Sequence, residues 1–351
     1  MKIKKNHSLK NYNTFGVDVK TKYFAEIRNL KELKEVLEQY PNEKLLILGG
    51  GSNTLLVDDW EGLTLKIEIK EKKIVKKTNN FVDIKVGSGE IWDNFVKYTV
   101  KNNWSGIENL VMIPGTVGAA VAQNIGAYGQ EVVDTVISID ALDISSLEIK
   151  TLSPEECGFR YRNTYFKEQW KEKYIITSAT FRLNIFKKNN QGRQRYHDWL
   201  SSKKQYEGLK EELENLATKP YSIEDVVNAI KKQRGKKLPS LKEYGTCGCF
   251  FKNPIITKEQ YYKLKEKIED LASYSADDNM IKISAGKLLE ELGWKGKWKD
   301  NVGVSEKHAL CVISNKEATG KEIYTFIKKM QEDVEKEYGI TLEPEVNIIK
   351  N

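Results

Sequence analysis

Three consecutive glycines at residues 49–51 follow a short apolar run, Leu45–Leu48, and precede Ser52 and Asn53. The run has the length and apolar character of an interior strand. Glycine can adopt positive φ, so successive backbone N–H groups in such a loop can converge on a phosphate. The pattern predicts a buried strand followed by a backbone anion cradle, whose natural ligand is a nucleotide or dinucleotide. The alternative is an ordinary glycine turn.

A second glycine-rich segment spans residues 113–129, IPGTVGAAVAQNIGAYG. Its small residues allow the backbone to pack directly against a flat or extended ligand. Two such segments predict a large cofactor. The GxGxxG pattern is absent at Gly49 and no GxxxxGK[ST] loop occurs, so Rossmann folds and P-loop enzymes are disfavoured.

The composition limits the classes of protein to consider. A chain of 351 residues that is 40% hydrophobic can form two or three packed domains. No apolar run approaches the ~20 residues that span a bilayer, and no signal core follows the N-terminus, so we expect a cytoplasmic protein without membrane insertion. The net charge of +7 suits an anionic small molecule. No basic-aromatic motif supports nucleic-acid binding, which would be strongly salt-dependent.

Cysteine and histidine spacing predicts no metal site. The four cysteines form no CxxC pair, so neither a disulfide framework nor structural zinc is expected. The three histidines, His7, His197 and His308, are scattered and indicate neither a metal site nor a covalent flavin link.

The elements that must position these loops read as α+β. An amphipathic helix at Leu30–Tyr40 is expected between strands at Tyr23–Ile27 and Leu45–Leu48. Further strands are predicted at residues 63–86, with a hairpin near residues 79 and 80, and at residues 132–142, 174–183 and 310–314. Helices are predicted at residues 91–102, 223–234, 258–271, 285–292 and 320–338, before a terminal strand in TLEPEVNII. The polar, lysine-rich segment Phe186–Pro220 is predicted to be a linker or mobile loop.

Several separated motifs together resemble the UDP-N-acetylenolpyruvoylglucosamine reductase family. They occur in the family's order over almost the whole chain. They are NTFG at residues 13–16, LGGGSN at 48–53, GIENLVMIPGTVGAAVAQNIGAYG at 106–129, CGFRYRNTYFK at 157–167, KLP at 237–239, GCFFKNP at 248–254 and LEPEV at 342–346.

This resemblance implies an α+β fold with an FAD-binding domain of the vanillyl-alcohol oxidase type in two subdomains and a C-terminal α+β substrate-binding domain. The corresponding ranges are 1–68, 69–232 and 233–340, with a strand in 341–351 returning to the first. It also implies non-covalent FAD, NADPH as co-substrate, and reduction of UDP-N-acetylglucosamine enolpyruvate to UDP-N-acetylmuramate for peptidoglycan, by a monomer. The alternatives are an FAD-dependent oxidase of the same fold acting on another substrate, and a nucleotide-binding protein that has lost its chemistry.

Three catalytic residues are implied by motif position. Arg162 corresponds to the family's active-site arginine, whose forked donors suit the substrate carboxylate. Glu345 corresponds to the active-site glutamate. Cys249 occupies the position of the proton donor, which is commonly serine in this family. A thiol is mostly protonated at neutral pH and is a better acid than a hydroxyl, so it can serve the same purpose. Without the resemblance, these residues would be read as a solvated arginine, a surface glutamate and a structural cysteine.

Binding residues are implied in the same way. Lys237 suits the substrate diphosphate, Asn253 an amide and Tyr128 the sugar. Tyr206 is the preferred tyrosine of a loop that closes over the diphosphate, with the Tyr196 region as the weaker candidate. The residues expected to hold FAD are Gly49, Gly50, Gly51, Ser52, Asn53, Gly115, Thr116, Gly118, Asn124 and Gly126.

Overall fold

The computed structural model describes residues 2–203, 207–275 and 279–351. The chain forms two compact units. The first unit comprises Met1–Lys5, Lys22–Gly50 and Gly62–Gly235, and the second comprises Asn6–Thr21, Gly51–Glu61 and Lys236–Asn351. The three-part division by function inferred from the resemblance stays a prediction.

Strands of the described chain are numbered in order. They are β1 (Lys4–Ser8), β2 (Lys20–Ile27), β3 (Leu45–Leu48), β4 (Thr54–Leu56), β5 (Trp60–Ile67), β6 (Lys72–Lys77), β7 (Phe81–Gly87), β8 (Trp104–Ser105), β9 (Gly126–Ala127), β10 (Gln130–Glu131), β11 (Val136–Asp143), β12 (Ile149–Leu152), β13 (Tyr174–Ile185), β14 (Gly245–Cys249), β15 (Ile255–Thr257), β16 (Ser273–Ser275), β17 (Met280–Ile283), β18 (Trp298–Lys299), β19 (Val302–Val304), β20 (Cys311–Ser314) and β21 (Asn347–Ile349).

Helices are numbered in the same way. They are α1 (Leu30–Gln39), α2 (Trp92–Lys101), α3 (Val117–Gln123), α4 (Asn190–Ser201), α5 (Glu207–Leu216), α6 (Ile223–Lys237), α7 (Lys258–Lys267), α8 (Ala285–Glu291) and α9 (Gly320–Tyr338). Across the residues described, no helix is long and apolar enough to cross a membrane.

The glycine triplet follows a small α/β arrangement, as the periodicity predicts. Asn29 caps α1 by accepting a hydrogen bond from the Glu32 amide, and the apolar stripe of the helix, which includes Leu33 and Val36, is buried. This stripe packs in a core with residues of β2 and β5. β3 pairs in parallel with β5, in a sheet ordered β1-β2-β5-β3. The predicted helix and both flanking strands are confirmed.

The second glycine segment lies against a larger antiparallel sheet, ordered β12-β11-β13-β7-β6, with β8 paired to β13. β6 and β7 form the hairpin expected near residues 79 and 80. Trp92 and Phe95 of α2 pack against Phe181 of β13, with ring centroids 5.1–6.0 Å apart. These aromatic contacts bury one face of the sheet and hold the elements that lead into α3.

The prediction of a linker or mobile loop at Phe186–Pro220 is wrong. The segment contains α4 and α5, and Tyr196, Leu200, Leu209 and Leu213 are buried in the core of the first unit. Each helix presents an apolar pair spaced i, i+4, which is enough to anchor it despite the polar composition around it. Composition was therefore a poor guide here, because a narrow apolar stripe is hidden by many charged residues.

Tyr196 is a core residue and not a loop tyrosine. Its side chain is 1% exposed, and its hydroxyl donates to Oε1 of buried Glu108 over 3.0 Å. Burial and the Glu108 carboxylate raise the pKa of Tyr196 well above its ordinary value. The weaker candidate for a tyrosine that closes over a ligand is thereby removed. Tyr206, the preferred candidate, lies outside the described residues.

The second unit contains a sheet ordered β14-β20-β19-β18, a smaller sheet ordered β15-β17-β16, and the parallel pair β21-β4. α9 begins with a capping box in which Thr319 and Glu322 satisfy each other's backbone amides. The expected terminal strand is shorter than predicted: Asn347–Ile349 pairs with Thr54–Leu56, whereas residues 343–345 pair with residues 250–252. The helix predicted at 258–271 ends at Lys267.

Candidate functional site

The two glycine segments of the first unit contact each other through their backbones. A Cβ atom at Gly50 would lie 2.7 Å from Cα of Gly115, and a Cβ at Gly49 would lie 2.5 Å from Oγ1 of Thr116. A side chain at Gly50 would require the neighbouring loop to move, and one at Gly49 would require the Thr116 side chain to move. The structure thus brings together two segments that are 65 residues apart in the chain, from Gly50 to Gly115.

Gly118, in the second glycine segment, packs against Ser88, a residue that the sequence did not indicate as part of the site. A Cβ at Gly118 would lie 2.7 Å from Cβ of Ser88, and Ser88 is 2% exposed. The Ser88 hydroxyl is buried with no hydrogen-bond partner among the described residues. Thr116, which precedes α3, uses no side-chain bond to cap that helix. The GSG sequence at residues 87–89, which begins at the last residue of β7, was the available signal for this site.

The residues of the first unit therefore fit an extended polar cofactor. A buried hydroxyl without a protein partner requires a polar ligand or water. It lies beside glycine backbone that has been cleared of side chains, which suits a group with phosphates and a flat ring. These residues would hold FAD by backbone and hydroxyl contacts.

The end of the glycine triplet belongs to the second unit. Gly51 has φ of +61°, and a Cβ there would lie 1.9 Å from the carbonyl oxygen of Tyr12. Ser52 is half-buried in the following turn. Asn53 donates from Nδ2 to the carbonyl oxygen of Glu345 over 3.1 Å, and its own carbonyl accepts from the Asn347 amide over 3.0 Å. Asn53 therefore connects the glycine loop to the proposed catalytic glutamate.

Arg162 lies at a tight turn of the first unit. Arg160 and Asn163 exchange both backbone hydrogen bonds, which places Tyr161 and Arg162 at the tip, and Arg162 has φ of +55°. A positive φ is uncommon for a non-glycine residue, and such strain is typical of functional positions. The guanidinium donates from Nη2 to the Gly126 carbonyl, and Nη1 lies 3.6 Å from Oε1 of Glu131. Because 17% of its side chain is exposed, the Arg162 guanidinium is held mainly by protein contacts and is not a solvated surface charge.

The segment that contains Gly126, the hydrogen-bond partner of Arg162, is a β-hairpin with a two-residue loop. β9 and β10 flank Tyr128 and Gly129, which both have positive φ, 50° and 82°. The carbonyl of Tyr128 accepts from Nδ2 of Asn109 over 2.9 Å. Tyr128, predicted to contact the sugar, is thus fixed by its backbone at the tip of the hairpin.

Asn124 has a structural role in addition to the predicted cofactor role. It ends α3 in the left-handed conformation, with φ of 46°. Its Nδ2 donates to Oε2 of Glu131 and to the carbonyl of Arg160, at 2.9 and 3.0 Å, while its Oδ1 accepts from the Val133 amide. The Asn124 side chain therefore connects α3 to the turn that carries Arg162.

Cys249 ends β14 just after a bulge. The pairing with β20 shifts by one residue between Thr246 and Cys249, so that Cys249 faces Cys311. Gly248 has φ of +75° and open space where a Cβ would be, so glycine is required by conformation and not by crowding. Because of the extra residue in the bulge, the side chains of Cys247 and Cys249 lie in different surroundings.

The Cys247 thiol is already used in a hydrogen bond to the backbone. Its Sγ lies 3.5 Å from the carbonyl oxygen of Thr54, and burial raises the pKa of the thiol to about 12. The interpretation of Cys247 as incidental to catalysis agrees with these surroundings.

The backbone of Glu345 is bonded to the residue that follows Cys249 within the second unit. The Glu345 amide donates to the carbonyl of Phe250, the residue after Cys249, over 2.8 Å. The adjoining pair Lys252 and Glu343 forms a backbone hydrogen bond of 2.9 Å and an ion pair of 2.5 Å. Two of the three predicted catalytic residues are therefore brought together by backbone pairing, although 96 positions separate them in the chain.

Two predicted substrate residues lie in the same unit. Asn253 accepts at Oδ1 from the Ala285 amide over 3.1 Å, which fixes its side chain at the start of α8. Lys237 ends α6 and lies close enough to His308 to influence it: burial first, and then the Lys237 charge, lower the pKa of the His308 imidazole. A neutral imidazole is thus favoured.

His308 also lies beside two cysteines, which the sequence spacing did not indicate. One ligand atom from each of Cys249, His308 and Cys311 lies within 4.8 Å of the others. Cys311 is fully buried, whereas Cys249 and His308 are half-buried. All four cysteines of the chain are present as thiols.

Comparison with known proteins identifies the family to which this chain belongs. The UDP-N-acetylenolpyruvoylglucosamine reductase C-terminal domain matches residues 240–349, and an FAD binding domain matches residues 21–152. These matches confirm the predicted fold class, an FAD-binding domain followed by a second α+β domain.

Relatives match over their whole length. The UDP-N-acetylenolpyruvoylglucosamine reductase of Flavobacterium johnsoniae is 41% identical over 99% of this chain and 100% of its own length. The enzyme of Pseudomonas aeruginosa is 35% identical over 99% of both chains. The crystal structure of UDP-N-acetylenolpyruvylglucosamine reductase from Thermus caldophilus has the same fold, with a TM-score of 0.67 at 21% identity over 99% of this chain and 98% of that chain. The chain therefore belongs to the UDP-N-acetylenolpyruvoylglucosamine reductase family of FAD-dependent oxidoreductases.

Proposed function

We propose that this protein uses NADPH and bound FAD to reduce the enolpyruvyl group of UDP-N-acetylglucosamine enolpyruvate. The product is UDP-N-acetylmuramate, a precursor for peptidoglycan. The observation that carries the proposal is the backbone hydrogen bond from the Glu345 amide to the carbonyl of Phe250, which joins the segment of Glu345 to the residue that follows Cys249, at the family's proton-donor position. Retention of this paired arrangement argues against a protein that has lost its chemistry.

Bound FAD would supply the hydride-transfer chemistry between NADPH and the enolpyruvyl double bond. The chain supplies the remaining steps. The Arg162 guanidinium binds the substrate carboxylate, where negative charge increases as the double bond is reduced. It is already held in place by the Gly126 carbonyl.

Cys249 donates the proton that completes the reduction. Its Sγ–H bond breaks as a C–H bond forms on the substrate carbon, and the thiolate then regains a proton from solvent. Glu345 helps to polarise the enol and carboxylate system. Its backbone is bonded on both sides, by Asn53 at the carbonyl and by Phe250 at the amide.

Binding roles are proposed for the remaining predicted residues. Lys237 binds the diphosphate, Asn253 an amide and Tyr128 the sugar, while Tyr206 closes over the diphosphate. FAD is held by the glycine cradle with Thr116 and Ser88. A monomeric state and a cytoplasmic location stay predictions.

Anaerobic spectroscopy of the purified protein tests the proposal. NADPH should bleach the visible absorption of bound flavin, and the enolpyruvyl substrate should restore it with formation of UDP-N-acetylmuramate. NADH under the same conditions measures the preference between the two nicotinamides. A colourless protein would contradict the proposal, and a reduced flavin that only oxygen reoxidises would indicate an oxidase.

A further inference from the structure

Three side chains that can bind soft or borderline metal ions lie close together in the second unit. Two belong to strands and one to a turn. Cys249 ends β14, Cys311 begins β20, and His308 precedes Cys311 by three residues. One ligand atom of each lies within 4.8 Å of the others. Their separation in sequence, 59 residues between Cys249 and His308, hid this cluster from motif analysis.

Backbone hydrogen bonds hold this arrangement in place. Cys249 and Cys311 are direct partners across the β14–β20 pair, and the Phe250 amide donates to the Leu310 carbonyl over 2.8 Å. The Cys311 amide donates to the His308 carbonyl over 3.0 Å, which closes the turn that carries the imidazole. The three side chains therefore start from a frame that a bound ion need not rebuild.

The donor set selects the kind of ion. Two thiolates with one imidazole match a thiophilic cation such as Zn²⁺, which accepts sulfur and nitrogen in tetrahedral geometry. Oxygen-preferring cations such as Mg²⁺ and Ca²⁺ are disfavoured by the same set. Three protein ligands leave the fourth position to water.

We propose that Cys249, His308 and Cys311 form a Zn²⁺ site whose occupation inhibits the reductase. Each cysteine loses its Sγ proton to solvent as the sulfur–metal bond forms, so Cys249 has no proton to give the substrate while the ion is bound. The binding part of this proposal stands on the cluster alone. The inhibition part rests on the proposed function of Cys249 as proton donor.

His308 must exchange one contact to take part. Its Nδ1 accepts a hydrogen bond from the Leu310 amide over 3.1 Å, which assigns the single N–H proton of the neutral ring to Nε2. Coordination through Nδ1 replaces this single hydrogen bond and needs no change of tautomer. The ligand atoms, all within 4.8 Å of one another, must then draw in around a central ion to reach metal–ligand bonds of about 2.0–2.3 Å.

The test uses the FAD-loaded protein under a phosphine reductant, which keeps the cysteines from forming a disulfide. Zn²⁺ is titrated by equilibrium dialysis with metal analysis, and Cd²⁺ in parallel by its thiolate charge-transfer absorption in the ultraviolet. We expect one ion per chain. Cys311→Ala and His308→Gln should each weaken binding by at least about tenfold. Cys157→Ala removes an equally buried thiol outside the cluster and serves as the matched control.

Activity is then measured at increasing Zn²⁺. The unmodified chain and Cys157→Ala should be inhibited, whereas Cys311→Ala and His308→Gln should stay active at the same Zn²⁺ concentrations. Binding that is unchanged in both cluster variants would overturn the site. Binding at the cluster without loss of activity would overturn its inhibitory role. If the protein lacked reductase activity altogether, the Cd²⁺ titration would still decide whether the site exists.

Discussion

Arg162 donates from Nη2 to the carbonyl oxygen of Gly126, at a position where no side chain fits: a Cβ at residue 126 would lie 2.6 Å from Nη1 of the same arginine. A glycine in a two-residue strand thus determines where the proposed substrate-binding guanidinium lies. The close approach of the Arg162 side chain explains why residue 126 is a glycine. The sequence had instead predicted that this glycine contacts the cofactor.

Gly126→Ala should therefore lower turnover without loss of the fold. The new methyl group displaces the guanidinium, and a displacement of about 1 Å can reduce the rate about 10²-fold. Steady-state kcat and the flavin content of the purified variant are the measurements. Gly235→Ala is the control, because nothing lies within 4 Å of a Cβ at Gly235. Unchanged kcat in Gly126→Ala would remove Arg162 from its proposed position.

Cys249 should be replaceable by serine but not by alanine. Cys249→Ser retains a proton donor at the same place and should keep substantial activity, whereas Cys249→Ala should lose about 10²–10⁴-fold in the step that oxidises the reduced flavin. Flavin reduction by NADPH should be unaffected in both variants. Rapid-reaction absorbance of the two half-reactions separates these effects, with Cys247→Ala as the neighbouring control. Full turnover in Cys249→Ala would end the proton-donor role.

Gly50→Ala should reduce the retention of flavin. Its Cβ would lie 2.7 Å from Cα of Gly115, so the two glycine segments must separate to admit it. The ratio of flavin to protein after purification, and the flavin dissociation constant, report the change. Arg162 and Cys249 are untouched, so the residual loaded fraction should turn over normally. Undiminished flavin content would contradict the cradle.

Asn53→Ala should affect both stability and turnover. It removes the hydrogen bond to the Glu345 carbonyl, a loss of about 1 kcal/mol in the free energy of unfolding, and it loosens the backbone that holds the glutamate. Asn102→Ala removes a bond of the same type, from Nδ2 to the Tyr98 carbonyl, at the end of α2. Denaturant unfolding should show similar losses for the two variants, while kcat falls only in Asn53→Ala. Equal kcat values would show that Asn53 does not position Glu345.

Tyr196→Phe should destabilise the first unit by about 1–3 kcal/mol, because Glu108 loses a buried hydrogen-bond donor. The phenol pKa is raised in the folded protein, so its contribution to stability is complete below the unfolded-state value of about 10 and is lost as the pH rises toward the folded value. The unmodified chain should thus lose stability above that pH more steeply than Tyr196→Phe. Parallel denaturant curves at neutral and alkaline pH measure this. An equal loss of unfolding free energy between the two pH values in both proteins would contradict the buried hydrogen bond between the phenol and the carboxylate.

Local patterns were predictable from sequence because their causes are local. The helix at Leu30–Gln39 follows from one apolar stripe and one capping residue, and β3 from a four-residue apolar run. The packed helices at 190–201 and 207–216 could not be seen in the same way. Their apolar residues are few, and only the surrounding core shows that they are buried.

By itself, the sequence determined the family, the FAD-binding class and the motifs that carry the proposed chemistry, since these depend on residue identities in a recognisable order. Only the tertiary structure decided which residues of each unit meet. The Glu345 backbone bonds to Phe250, the residue after Cys249, Ser88 faces Gly118, and His308 lies beside Cys249 and Cys311. Such contacts arise from strand pairing and close packing between distant segments, and no local periodicity encodes them.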